Sequence, residues 1–138
     1  MKFFDYDNDG RLDLFVATGH IYPEVDERAI GTHFRQSCDL FRGTGAKFQR
    51  SPEVGGLAIQ QSFRGAAFAD YNRDGDLDVI LTALDQPPVL LRNETRSGPG
   101  ATAPHFVQFE VPVGTRVTIT AGGKKQMQEQ EGGGSYLS

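Results

Sequence analysis

Cysteine is almost missing from this chain of 138 residues, in which Cys38 is the one thiol. An internal disulfide, a zinc cluster of cysteine and histidine, and a Cys-X-X-Cys redox motif therefore cannot be built. Long apolar runs are missing too, since no run approaches the roughly 18 residues of a membrane-spanning helix. We expect no membrane span. The sequence also begins without an apolar signal segment, and we expect it to be a piece of a longer protein.

Recognisable catalytic and nucleic-acid-binding sets are also lacking. No Ser/His/Asp set and no His-Glu-x-x-His helix can be assembled. The pair Lys124 and Lys125 is too small to form the basic stripe of a nucleic-acid-binding protein, and the formal net charge is −4. We therefore predict no catalytic residues and no nucleic-acid partner.

The acidic residues that are present concentrate in two similar stretches, residues 5–13 and 70–78. Each stretch has oxygen-bearing side chains at its first, third, fifth and ninth positions. A glycine stands at the sixth position, where a chain that folds around a small ion must turn sharply. Carboxylates at this density repel one another unless a cation lies between them. Calcium accepts about six to eight oxygens in flexible geometry, so the pattern predicts two calcium sites.

The position of each residue within a loop predicts its role as a ligand. We expect the side chains at the first, third, fifth and ninth positions to bind the ion, together with the main-chain carbonyl of the seventh. The predicted ligands are Asp5, Asp7, Asp9, Asp13 and the carbonyl of Arg11 in the first loop, and Asp70, Asn72, Asp74, Asp78 and the carbonyl of Asp76 in the second. Since Asn72 is neutral, the second site should be weaker at equal geometry.

An EF-hand sensor begins with the same Asp-x-Asp-x-Asp-Gly motif, but the sequence disfavours it. An EF-hand needs a bidentate glutamate at position 12 and a helix on each side. Position 12 is Val16 in the first loop and Leu81 in the second, and both lie in β-rich runs. The loops are therefore predicted to connect strands.

The two loops recur at an offset of 65 residues and share six of nine residues. Repeats with about four strands each are typical of propeller blades. We predict an all-β fold in which residues 1–95 form a partial β-propeller of about one and a half blades. Residues 96–104 are predicted to be a linker. Residues 105–138, where apolar and polar residues alternate around Gly122 and Gly123, are predicted to form an incomplete antiparallel β-hairpin domain.

Three motifs resemble known families. Phe68-Ala69-Asp70-Tyr71 and the loops resemble the FG-GAP/VCBS repeats of calcium-loaded β-propellers. Thr-Ile-Thr-Ala-Gly-Gly at residues 118–123, with Gly-Gly-Ser-Tyr-Leu-Ser at 133–138, resembles the ASPIC/UnbV domain of the cartilage-acidic-protein-like family, whose final blades resemble Gly-His-Ile-Tyr-Pro at 19–23. The resemblance implies a non-catalytic scaffold or interaction module of an extracellular or cell-envelope protein, with structural calcium and a protein or glycan partner.

A second interpretation stays open for the long segment that follows β-rich residues 12–18. His20, Tyr22 and Glu24 lie close together there, in a loop where functional residues often concentrate. The chain would then be an enzyme or an enzyme accessory in secondary metabolism or glycan processing, with its site in residues 20–28. The alternative for the same residues is a packed His-Tyr-Pro turn. Asn93-Glu94-Thr95 also matches a glycosylation acceptor, which matters only in a secreting eukaryote.

Overall fold

The computed structural model describes residues 1–28, 30–52, 55–95, 106–130 and 132. Within these ranges the regular structure consists of antiparallel β-strands in three separate sheets and two short 3-10 helices, Pro23–Glu27 and Gly55–Ala58. The prediction of an all-β fold is confirmed. No helix in the described ranges is both long enough and apolar enough to cross a membrane. The predicted linker, residues 96–104, lies outside the described residues.

The first sheet has four strands in sequence order: β1 (Lys2–Phe4), β2 (Asp13–Val16), β3 (Asp39–Gly43) and β4 (Phe48–Arg50). β2 buries alternate residues, Asp13 and Phe15, as a strand with one face on the core must. β1 pairs with β2 so that Phe4 lies opposite Asp13. The first acidic loop therefore starts and ends at adjacent points of the sheet, which brings its first and ninth residues side by side.

The second sheet repeats this arrangement with three strands: β5 (Phe63–Ala69), β6 (Asp78–Ala83) and β7 (Gln86–Leu91). Ala69 lies opposite Asp78, which is the pairing of Phe4 with Asp13 in the second repeat. The two ends of the second acidic loop are thus fixed by paired strands, as are the two ends of the first. The prediction that each acidic loop lies between two strands is confirmed in both repeats.

The hydrophobic core lies between these two sheets. It contains Phe4, Phe15, Cys38, Phe63, Val79 and Leu81. The ring of Phe68 packs on both Phe4 and Phe15, at centroid distances of 5.1 and 5.8 Å. Burial of Cys38 raises the pKa of its thiol to about 11, so the thiol is protonated at neutral pH. The interpretation of Cys38 as a buried small hydrophobe is confirmed.

A separate hairpin forms the third sheet, with β8 (Arg116–Ala121) paired to β9 (Lys124–Glu129). Ala121 lies opposite Lys124, so Gly122 and Gly123 form a two-residue turn. Both have positive φ, +56° and +76°, as the favoured hairpin turns require. The predicted turn is confirmed.

Apolar and polar residues also alternate from His105 to Val111, which predicts a further strand before this hairpin. Residues 106–111 have no regular structure in the described chain, and the side chains of Phe106 and Phe109 are 45% and 51% exposed. Alternation produces a strand only where a neighbouring edge supplies backbone hydrogen bonds. The described residues supply no such edge here, so the sequence pattern alone overestimates the β-structure of this segment.

Gly43 provides a test of how closely β3 packs on the first loop. A Cβ atom at this position would lie 2.1 Å from the main-chain oxygen of Leu12. We expect Gly43→Ala to lower the free energy of unfolding by about 2 to 3 kcal/mol, measured by chemical denaturation. Gly56→Ala is the control, because its Cβ would meet only the tip of the Leu91 side chain, which can rotate away. Equal stability of the two variants would contradict this packing.

Candidate metal centre

Both acidic loops adopt the same backbone conformation. The fourth residues, Asn8 and Arg73, have φ of +54° and +60°, and the sixth residues, Gly10 and Gly75, both have φ of +87°. These values lie in the left-handed region, where glycine carries no steric penalty. The predicted sharp turn at the glycine is therefore present in each loop. It folds the acidic side chains back toward the backbone.

Main-chain N–H groups hold the aspartates at the first and ninth positions of the first loop. The two carboxylate oxygens of Asp5 accept hydrogen bonds from the N–H groups of Asp9 and Gly10, at 3.0 and 2.8 Å. Those of Asp13 accept from the N–H groups of Tyr6, at 2.9 Å, and of Gly43, at 2.8 Å. Each oxygen keeps a second lone pair for another ligand.

The second loop repeats these four hydrogen bonds one for one. The carboxylate of Asp70 accepts from the N–H groups of Asp74 and Gly75, at 3.1 and 2.9 Å. The carboxylate of Asp78 accepts from the N–H groups of Tyr71, at 3.2 Å, and Asn93, at 2.8 Å. The two loops are thus structural copies, with Asn93 in the place of Gly43.

Three of the predicted ligands converge in the first loop. One carboxylate oxygen from each of Asp5, Asp7 and Asp13 lies within 4.8 Å of the other two. The side chain of Asp7 is only 9% exposed, and its Oδ1 is buried without a hydrogen-bond partner. A buried carboxylate oxygen with no partner is costly. The donor set is therefore suited to a hard cation that binds oxygen.

The charges around this cluster are only partly compensated. Burial raises the pKa of Asp7, and the nearby charge of Asp9 raises it further, while Arg42 opposes the shift. Burial likewise raises the pKa of Asp5, against the backbone hydrogen bonds from Gly10 and Asp9. Arg42 approaches Asp7 Oδ2 to 2.8 Å. One guanidinium is therefore insufficient to remove the electrostatic cost of the cluster.

Asp9 does not join the three converging carboxylates. Its Oδ2 accepts from the Nη2 of Arg11 and lies 3.4 Å from the Nη2 of Arg42, while its Oδ1 accepts from the main-chain N–H of Arg11 at 2.9 Å. The Nε of Arg11 also donates to the carbonyl of Gly43 at 3.1 Å. Arg11, for which only a carbonyl role was predicted, thus binds the aspartate at the fifth position and ties the loop to β3.

In the second loop, the residues at the third and fifth positions bind each other. Asn72 Nδ2 donates to Asp74 Oδ2 at 2.7 Å, and Asn72 Oδ1 accepts from the N–H of Asp74 at 3.3 Å. Asp74 Oδ1 accepts from the N–H of Asp76 at 2.9 Å. A converging group of three acids occurs, among the described residues, in the first loop alone. The amide at the third position therefore changes both the charge and the arrangement of the site.

Sequence reasoning missed two side-chain roles at the contact between the loops. The Asp76 side chain, for which only a carbonyl role was predicted, is 1% exposed and accepts from Asn8 Nδ2 at 2.9 Å. Asn93 donates through Nδ2 to the carbonyl of Tyr6 at 2.7 Å. Asn93 could have been found by aligning Leu-Leu-Arg-Asn at residues 90–93 with Leu-Phe-Arg-Gly at residues 40–43. No comparable signal marks Asp76.

The segment proposed as an alternative site, residues 20–28, forms a local turn. His20 Nδ1 lies 3.1 Å from the N atom and 3.2 Å from the O atom of Tyr22. Val25 is the buried residue of the segment, at 3% exposure. Among the described contacts of His20, no serine, threonine or cysteine side chain bonds to its ring. The structure therefore supports a local turn at His20, but not a packed one, since the Tyr22 side chain is 65% exposed.

The raised pKa of Asp7 sets a pH dependence for the metal-free protein. Below about pH 3 the carboxyl is mostly protonated in both the folded and the unfolded chain, so Asp7→Asn should change stability little. As the pH rises, the unfolded chain loses its proton first, and the wild type becomes less stable than Asp7→Asn. We expect the variant to have the higher melting temperature at about pH 7 in metal-free buffer, measured by circular dichroism.

Asp85→Asn is the control for this experiment, since it removes one negative charge from an exposed residue. Its effect on the melting temperature should not follow the same course. If Asp7→Asn were instead the less stable protein at neutral pH, the ion pair between Asp7 and Arg42 would outweigh the cost of burying the carboxylate.

Comparison with known families agrees with this geometry. A family model described as FG-GAP-like repeat matches residues 5–81, which is more than half of the chain and includes both acidic loops. No curated protein and no solved structure matches the chain significantly. The match does not reach residues 105–138, so their resemblance to the ASPIC/UnbV domain stays a prediction. FG-GAP-like repeats are generally non-catalytic modules for interaction or scaffolding. The chain belongs to the FG-GAP-like repeat family.

Proposed function

We propose that this chain is a calcium-stabilised β-propeller module that serves as a non-catalytic scaffold or interaction surface. The observation that carries the proposal is the buried, unpartnered Oδ1 of Asp7, within a cluster that also contains Asp5 and Asp13. A bound cation would give this oxygen the partner that the polypeptide does not. The ion would also supply the positive charge that Arg42 alone cannot.

The chemistry of the donor set favours calcium over magnesium. Calcium binds oxygens at about 2.3 to 2.6 Å, so that oxygens on opposite sides of the ion lie about 5 Å apart. The three carboxylate oxygens in the first loop lie within 4.8 Å of one another. Magnesium holds its ligands at about 2.0 to 2.1 Å in a strict octahedron. A donor set made only of protein oxygens therefore suits calcium, whereas magnesium dehydrates reluctantly and usually keeps several waters.

The first site would be completed by the remaining predicted ligands. Asp5, Asp7 and Asp13 already converge, and the carbonyl of Arg11 belongs to the same loop. Asp9 would have to exchange the guanidinium groups of Arg11 and Arg42 for the ion. Both arginine side chains are about half exposed, at 45% and 49%, so both can turn to solvent, and Arg11 would then give up its hydrogen bond to the carbonyl of Gly43.

The second site is proposed to use Asp70, Asn72, Asp74, Asp78 and the carbonyl of Asp76. Asn72 would have to release Asp74 Oδ2 and present its own Oδ1 to the ion. The second site also has one negative charge fewer. Both features support a lower affinity than at the first site.

The role of the ions would be structural. Each loop connects two core strands, β1 to β2 or β5 to β6. The aspartate at its ninth position is almost completely buried, with an exposed fraction of 0% for Asp13 and 2% for Asp78. A cation that holds the first and ninth residues together would fix the two strand ends that the loop joins. The ion would then act as a strut between strands, without a role in signalling.

An interaction surface is available on the long segment between β2 and β3. Ile21, Tyr22 and Ile30 are exposed there to 68%, 65% and 63%. Exposed apolar and aromatic side chains of this kind are common in protein and glycan binding sites. The segment supports an interaction role.

We further propose that residues 105–138 form a separate module that resembles the ASPIC/UnbV domain, after a linker at residues 96–104. The support is that β8 and β9 pair only with each other in the described chain. An extracellular or cell-envelope location fits the loops, because the calcium modules of extracellular proteins have dissociation constants of about 0.1 to 1 mM. A weak second site would still be filled there.

Calcium should raise the stability of the full 138-residue chain. At a free calcium concentration about 100 times the dissociation constant, each site adds roughly 2.7 kcal/mol to the free energy of unfolding. We expect a melting temperature that rises with calcium and falls again with a chelator, measured by differential scanning calorimetry. Magnesium at the same concentration is the control and should have a smaller effect. A melting temperature that calcium leaves unchanged would overturn the proposal.

Substitutions at the third position of each loop, Asp7 and Asn72, test the ligand assignment. Isothermal titration calorimetry should show two unequal sites in the wild type. Asp7→Asn should weaken the tighter site by about tenfold or more, since it removes a charged ligand, and Asn72→Asp should strengthen the weaker one. Two equal affinities in the wild type, or no effect of either substitution, would contradict the assignment.

A further inference from the structure

Asn8 of the first loop contacts the turn of the second loop. Its Nδ2 donates to Asp76 Oδ1 at 2.9 Å and lies 3.5 Å from the carbonyl oxygen of Gly75. Gly75 and Asp76 are the sixth and seventh residues of the second loop. Their N–H groups donate in turn to Asp70 and Asp74, both at 2.9 Å. Asn8 therefore holds the segment of backbone that orients two predicted ligands of the other site.

Asn93 forms a second connection in the opposite direction. Its main-chain N–H donates to Asp78 Oδ1 at 2.8 Å, and its side-chain Nδ2 donates to the carbonyl of Tyr6 at 2.7 Å. The side chain is itself fixed, because its Oδ1 accepts from the N–H and the hydroxyl of Thr95, at 3.1 and 2.6 Å. The N–H of Tyr6 donates to Asp13. Asn93 thus links Asp13 and Asp78, the aspartates at the ninth positions of the two loops.

We propose that Asn8 and Asn93 are positioning residues that couple the two loops, so that calcium bound in one loop raises the affinity of the other. This inference rests on the proposed calcium sites. We use the name inter-loop seam for the hydrogen bonds of Asn8 to Asp76 and Gly75 and of Asn93 to Tyr6.

The physical basis is the cost of ordering a loop. An ion that fixes the first loop also fixes Asn8 and the carbonyl of Tyr6. Through the seam, the turn of the second loop and Asn93 then lose part of their freedom before the second ion arrives. The second ion has less ordering to impose, which is positive cooperativity. Because the coupling is a difference in binding free energy, it acts equally in both directions.

The coupling is measured with a thermodynamic cycle on the full 138-residue chain, using calcium as the titrant in isothermal titration calorimetry. Asp7→Asn/Asp9→Asn disables the first loop and leaves the second intact. We expect the dissociation constant of the second loop to rise by about fivefold or more when the first is disabled. When Asn8→Gly and Asn93→Ala are also present, the same disabling substitutions should change that constant by less than about twofold.

Asn8→Gly suits this test because glycine accepts the φ of +54° without strain. Arg73→Gly is the matched control, since it removes the side chain at the equivalent left-handed position of the second loop without removing a seam hydrogen bond. Coupling should persist in Arg73→Gly. If Asn93→Ala proves unfolded by circular dichroism, Asn8→Gly alone tests the seam and should reduce the coupling.

The outcomes separate this inference from the function on which it rests. If the wild type binds no calcium, both fail. If the wild type binds calcium with an affinity in the second loop that is independent of the first, the coupling is wrong and the calcium sites remain. Coupling that survives the loss of both asparagine side chains would overturn the role of the seam.

Discussion

A buried carboxylate at the start of the strand that follows each acidic loop, β2 or β6, ties that loop to the rest of its repeat. Asp13 accepts one N–H from inside its loop and one from Gly43 at the end of β3. Asp78 does the same with Tyr71 and Asn93. The loop, the strand that follows it and the far end of the next strand therefore meet at one side chain. Because this side chain is also a predicted ligand, the fold and the proposed metal site depend on the same oxygen atoms.

Local features of the fold could be predicted because nine residues encode most of the loop. The glycine at the sixth position and the oxygen-bearing residues around it define the turn, and the β-rich flanks define the strands on either side. The segment at residues 106–111 shows the limit of this reasoning. Its alternation satisfies the pattern of a strand, but a strand also needs a paired edge, and the pairing of distant segments is not written in the segment itself.

The same limit applies to the site. The convergence of Asp5, Asp7 and Asp13 agrees with the spacing in the sequence, although their binding of an ion remains a proposal. The attraction of Asp9 to Arg42 could not have been predicted from the loop, since Arg42 comes from β3, more than 30 residues away. The buried position of Asp76 likewise depends on the other repeat. Contacts within a repeat follow from its motif, whereas contacts between repeats require the tertiary structure.

The inter-loop seam gives this pair of repeats a fixed order. The first loop contributes an amide at its fourth position, Asn8, and the second contributes a carboxylate at its seventh, Asp76. The reciprocal positions are Arg73 and Arg11. A further repeat after the second loop, in the same geometry, would contact Arg73 where the second loop contacts Asn8. A further repeat before the first loop would contact Arg11 where the first loop contacts Asp76. Neighbouring repeats would therefore need acidic or polar partners of their own, so the two loops cannot be exchanged or duplicated without redesigning the contact between them.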